Sequence, residues 1–207
     1  MHEITEGLFH WTAYYDNIGQ DVHSHFHAAS GTLFDPMEPA EGLGWFERTG
    51  RVPQRIVMSN RHHTRHADRY VEAFGIPVLC HEAGLYDAPG AQGFAFGDEL
   101  AEGVVALEVG VLTPEETALR IDAGDGALLF ADSVVRGAHG ELGFAPEELL
   151  GDDPQAVKEG LRERFRALAT SEKFDTLLMA HGAPVGTGGR SMLLTFATTP
   201  TVGAPPA

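Results

Sequence analysis

Arg55-Ile56-Val57-Met58-Ser59-Asn60-Arg61-His62-His63-Thr64-Arg65-His66-Ala67-Asp68 is the stretch on which the reading of this chain turns. Ile56 to Met58 is a short apolar run that reads as a buried strand, and it breaks off into a cluster of histidines and arginines. A helix then begins, since Ala67, Tyr70, Val71 and Phe74 recur at three- and four-residue intervals. Titratable groups at the end of a buried strand, just where a helix starts, are a common way to build a site. Three imidazoles within five residues, His62, His63 and His66, invite metal, because neutral imidazole is a good ligand for zinc and its neighbours. A solvated histidine-rich turn would show the same residues, so the rest of the chain has to decide.

Outward from this stretch, Gly75 to His81 reads as a second buried strand. Strand, helix, parallel strand is the βαβ unit, and ligands of open α/β sheets gather at the carboxyl ends of such strands. Upstream, Gly31 to Pro36 is a turn and a short apolar strand stopped by Asp35-Pro36. A carboxylate there either caps the next segment or orients nearby ligands, and capping is the simpler expectation. Asp21 to His27 alternates strictly, which places His23, His25 and His27 on one strand face, expected to be solvated or partly packed. Ile4 to Tyr15 suits an opening strand or strand pair. Glu38 to Thr49 suits a helix burying Leu43, Trp45 and Phe46, with Gly50 just past its end.

Downstream, Gly84 to Gly97 reads as a loop, and Gly103 to Val111 and Thr117 to Ile121 as strands. The turn Asp122 to Gly126 leads into an apolar strand ending in Asp132. Glu147 to Ala169 is helical, interrupted near Gly151 to Pro154, with Val157, Leu161, Phe165 and Leu168 as its apolar stripe. Phe174 to Ala180 is a last strand, ending in His181. Residues 1–197 are expected to form one domain, with 198–207 a loosely held tail of Thr, Pro, Gly and Ala.

Composition narrows the function. With 207 residues the chain can bury a sizeable core. A net charge of −16 makes nucleic acid and anionic membrane surfaces unfavourable partners. Cys80 is the only cysteine, falls in a buried strand, and fits a reducing cytoplasm. No apolar run approaches the ~20 residues of a membrane-spanning helix. Eleven histidines against fourteen Lys plus Arg hint at metal or proton chemistry.

Three buried strands thus end in His62, Asp132 and His181. Strand ends at one edge of a sheet converge, and two imidazoles with a carboxylate are a credible ligand set for zinc, manganese or iron. In order and spacing, these landmarks resemble the metallo-β-lactamase fold superfamily. Gly31 to Pro36 is similar to the family's strand ending in Asp, and Ser59 to His66 stands where it has His-x-His-x-Asp-His. Val109 to Glu116 stands at the usual Gly-His-Thr/Ser-Pro-Gly, Phe130-Ala131-Asp132 at the bridging Asp, and Ala180 to Pro184 at the closing His-Gly-x-Pro. The resemblance implies an α/β (α+β) architecture, a four-layer αββα sandwich, over nearly the whole chain.

In that register the motif reads Asn60, His62, Thr64 and Arg65, and the loop histidine is replaced by Val111. Of seven family ligands His62, Asp132 and His181 align, so at most one ion is expected. Three outcomes stay open. One ion could sit on His62, Asp132 and His181, with His63 or His66 as replacement ligand, and with Asp132 or His62 managing protons. Arg65 could instead fill the metal space, pair with Asp132 and, beside Asn60, bind an anionic ligand without metal. Or the pocket could be vestigial and serve a protein partner. The favoured expectation is a hydrolase of a small ester, thioester or lactone; the alternative is a non-catalytic pseudo-hydrolase.

Overall fold

The computed structural model describes residues 1–199. Seven strands form the first sheet in the order β1-β2-β3-β4-β5-β6-β7. They are β1 (His2–Thr5), β2 (Leu8–Tyr15), β3 (Gln20–His27), β4 (Thr32–Phe34), β5 (Arg55–Val57), β6 (Val78–His81) and β7 (Gln92–Phe94). The first four run antiparallel, and β4 to β7 run parallel. The second sheet is built from β8 (Glu99–Ala101), β9 (Val104–Glu108), β10 (Thr117–Ile121), β11 (Ala127–Phe130) and, after a small hairpin β12 (Val135–Arg136) and β13 (Leu142–Gly143), β14 (Thr176–Met179). Its order is β14-β11-β10-β9-β8, with β14 parallel to β11. The helices are α1 (Gly44–Arg48), α2 (Ala67–Phe74), α3 (Pro154–Ser171) and α4 (Gly189–Thr198).

Neighbouring apolar residues explain the layering. In Leu33-Phe34, Ile56-Val57, Leu128-Leu129 and Leu177-Leu178 the two members of each pair enter different cores. Side chains alternate along a strand, so an unbroken apolar run serves a sheet covered on both faces. Phe34, Val57, Leu129 and Leu178 fill the space between the sheets. Leu33 and Ile56 pack outward with Phe46 of α1 and Tyr70 of α2. Leu128 and Leu177 pack outward with Leu161 and Phe165 of α3 and Leu193 of α4. Each such leucine contributes about 1.5–3 kcal/mol by leaving water. The result is helix, sheet, sheet, helix.

Several local expectations need correction. The helix expected over Glu38 to Thr49 shrinks to Gly44–Arg48, with only Phe46 buried, because Pro39 and a left-handed Gly42 (φ 71°) hold the preceding residues out of it. The expected loop Gly84 to Gly97 carries the end of a 3-10 turn (Glu82–Asp87) and the edge strand β7. The α4 helix has no counterpart among the expected elements, and it reaches Thr198, the first residue of the expected tail. The remainder of that tail, from residue 200, lies outside the described residues. Among the described residues no helix is long and apolar enough to cross a membrane.

Candidate metal centre

The site is assembled at the carboxyl ends of β4, β5, β11 and β14. Asp35 follows β4 in a left-handed conformation (φ 46°) and is buried. Its Oδ1 accepts the Ser59 backbone N–H at 2.8 Å, and its Oδ2 accepts the Ser59 hydroxyl and lies 2.9 Å from His63 Nδ1. Asp35 therefore caps no helix; it fixes the turn after β5 and the orientation of one imidazole. The other nitrogen of that ring, Nε2, lies 3.1 Å from Asp132 Oδ1, just past β11. The Nε2 of His181, just past β14, meets the same oxygen at 3.1 Å, while its Nδ1 lies 3.3 Å from the Gln20 amide.

Asp132 is held from behind by a buried carboxylate that the sequence did not single out. Glu116 Oε1 accepts the backbone N–H groups of Asp132 (3.0 Å) and Ser133 (2.7 Å). Its Oε2 accepts from the Asn60 amide at 3.2 Å, and Asn60 Oδ1 accepts the His62 backbone N–H at 2.9 Å. One glutamate thus ties the β11 end to the histidine-rich turn. Burial and the nearby Asp132 charge push its pKa up to about 7.

Charge accounts for the protonation of the centre. Burial alone would lower the His63 pKa, but Asp132 and Asp35 on its two sides raise it to about 9. Burial would likewise raise both carboxyls, yet His63 outweighs it and holds Asp35 below, and together with His181 holds Asp132 well below, the usual carboxylate range. A buried carboxylate and a partly buried one demand a cation between them, and the imidazolium of His63 meets that demand when nothing else does. A divalent ion would answer the same field. The donor set fits one: a nitrogen of His63, an oxygen of Asp132 and a nitrogen of His181 all lie within 4.8 Å of one another. Metal-bound histidines characteristically give their other ring nitrogen to a carboxylate, as His63 does to Asp35.

The expected set is corrected at one ligand, since His63 and not His62 joins Asp132 and His181. The His62 side chain is 56% exposed, its Nδ1 3.7 Å from Asp87 at the surface, so neither its ligand role nor its proton-handling role has the position it needs. His66 is turned away and accepts the Glu38 backbone N–H at 3.0 Å. Arg65 does not pair with Asp132. At a strained φ of 40° it is buried and donates to the carbonyls of His23 (2.7 Å), Asp35 (2.7 Å) and Ala180 (3.4 Å). Asn60, expected beside an anionic ligand, is buried and donates to Glu116. Val111 lies against Gly160 of α3, away from the centre. The strand face of His23, His25 and His27 is buried, not solvated. Asp132, His181 and His23 line a cavity of about 630 Å³ whose other wall includes Arg136, Ala145 and Leu149.

Comparison with known proteins bears on the architecture. No family model matches the chain, and no curated protein matches it by sequence. Solved structures do. DIM-1 metallo-β-lactamase superposes with a TM-score of 0.70 at 15% identity, covering 94% of each chain. BLEG-1 B3 metallo-β-lactamase gives 0.67 at 16% identity, over 92% of this chain and all of the other (100%). TTHA1623 in a di-iron-bound form gives 0.59 at 22% identity, over 88% and 90%. The chain is therefore a four-layer αββα protein with its candidate centre at the strand ends. Its fold is the metallo-β-lactamase fold.

Proposed function

We propose that the protein is a metal-dependent hydrolase acting through one divalent ion, zinc, manganese or iron, held by His63, Asp132 and His181. The observation that carries this reading is the convergence of those three side chains beside a cavity large enough for a small substrate. Three protein ligands is the count found in catalytic zinc centres. When bound, such an ion supplies Lewis acidity toward a carbonyl or phosphoryl oxygen and makes water a better nucleophile.

The chain's own residues would do the rest. Asp35 fixes the His63 ring by its contact with Nδ1 and leaves Nε2 toward Asp132. Glu116 fixes the backbone from which Asp132 projects. Ala145 and Leu149 give the cavity an apolar wall suited to the acyl part of an ester, thioester or lactone. The anion-binding alternative through Arg65 loses its support, because that guanidinium is engaged by three carbonyls inside the protein.

The test is elemental analysis of untagged protein, with His63→Ala, Asp132→Ala and His181→Ala prepared alongside. Close to one equivalent of metal, lost in all three variants, is expected, together with metal-dependent turnover of p-nitrophenyl acetate, a thioester or a lactone. Metal that is absent, or indifferent to the three changes, would sink the hydrolase reading.

A further inference from the structure

A line of imidazoles runs along the inner face of the first sheet, from its free edge to the cavity. His2 on β1 is exposed; His10 on β2 and His23 on β3 are 4% and 9% exposed. The His2 Nε2 lies 3.2 Å from His10 Nδ1, and the His10 Nε2 lies 2.7 Å from His23 Nδ1. The His10 and His23 rings are inclined by only 11° to one another, which suits an in-plane N–H···N bond. The Thr12 hydroxyl is the more distant neighbour of His23 Nδ1, at 3.4 Å. With Nδ1 turned to His10, the second nitrogen of His23 is left for the cavity that Asp132 and His181 also line.

Each neutral imidazole has one N–H donor and one acceptor nitrogen. A row of them therefore has a direction, and one proton moving through reverses it. We infer that His23, His10 and His2 form a proton relay between the cavity and solvent. The inference rests on the hydrolase reading, because that chemistry gives the relay its traffic. In the outward step, a water in the cavity gives a proton to His23 Nε2. His23 then passes its Nδ1 proton to His10 Nε2, His10 passes its Nδ1 proton to His2 Nε2, and His2 releases its Nδ1 proton to solvent. One proton has left, each ring has changed tautomer, and no ring keeps a charge. The leaving group of an ester or thioester then needs a proton. Running the same transfers inward supplies it and restores the starting tautomers. Burial keeps His10 and His23 neutral, so tautomer exchange does not compete with stored imidazolium.

The relay is tested on the metal-loaded, ¹⁵N-histidine-labelled protein. Through-bond nitrogen–nitrogen couplings are expected at both the His2–His10 and the His10–His23 pair, and both vanish in His10→Gln. In dilute buffer, His10→Gln and the surface change His2→Gln should each slow p-nitrophenyl acetate turnover about tenfold, with rescue by added imidazole. His2→Gln guards against a folding defect at the buried position. A merely structural role for these rings would give a loss that imidazole does not restore. Missing couplings, or turnover in both variants that equals wild type in dilute buffer, overturns the relay while the hydrolase stands. Intact couplings in a metal-loaded protein that turns over no ester, thioester or lactone overturn the hydrolase reading, and the relay with it.

Discussion

The two histidine clusters of this protein are made of the same residue and held in opposite charge states. His63 is buried between Asp35 and Asp132, and its pKa rises to about 9. His10 and His23 are buried among other imidazoles, and burial, with the neighbouring His23 for the first and His181 for the second, brings them down to about 3 and about 4. Burial works against the charged form in both places. What decides is whether a carboxylate is within reach. One cluster is a place for a cation and the other a row of neutral donors and acceptors.

Removing Asp35 breaks the contrast most severely. Asp35→Ala leaves His63 and the Ser59 N–H without their buried partner, and we expect a loss of about 3–5 kcal/mol in urea unfolding. In Asp35→Asn the His63 pKa should fall from about 9 toward its ordinary value, read by NMR titration.

A cation other than a proton sharpens the contrast. Zinc at about a hundred times its dissociation constant should stabilise the protein by about 2.7 kcal/mol, seen as a rise in Tm. His181→Ala abolishes the effect, and His10→Gln does not.

Acid and base then separate the clusters in metal-free protein. His63, whose folded pKa is raised, contributes stability that is fully present below about pH 6.5 and lost as pH rises through about 9. His10 and His23, whose folded pKa values are depressed, refuse protons that the unfolded chain accepts. Their contribution is present above about pH 6.5 and drains away as pH falls toward 4 and then 3. The acid limb should flatten in His10→Gln; an unchanged limb would remove these rings as its cause. The smallest effect belongs to His62→Ala. It should leave stability within about 0.5 kcal/mol of wild type and metal content unchanged.

The sequence exposed the architecture because the strands carry it in paired apolar residues and the carboxylates and histidines that end them are fixed by strand length. Asp132 and His181 each stand two residues past the end of a buried four-residue strand, so their place at the sheet edge could be read. The choice between His62 and His63 could not. Both lie in an irregular turn between β5 and α2, where neither the period of two nor that of 3.6 tells which side chain points inward. The signal available was Asp35, a second carboxylate at a strand end that an inward histidine could satisfy. The inner face of β3 departs from its expected solvation because Val22 and Phe26 on its other face are equally buried, and alternation says nothing about which face is wet when neither is. Glu116 lies five residues beyond Val111, in a turn whose geometry only the folded chain supplies.

The Arg65 clasp has a consequence for the order in which the molecule assembles. Its guanidinium joins carbonyls of His23, Asp35 and Ala180, and the last of these is 115 residues away along the chain. Closing so long a loop is entropically unfavourable until other contacts exist, so we expect the clasp to form after the rate-limiting step of folding. Arg65→Lys should accordingly speed unfolding more than it slows refolding, giving a chevron whose unfolding arm moves and whose folding arm stays. The strand ends that carry Asp35 and His181 would then be brought together late, and the centre would be a product of completed folding and not a nucleus for it.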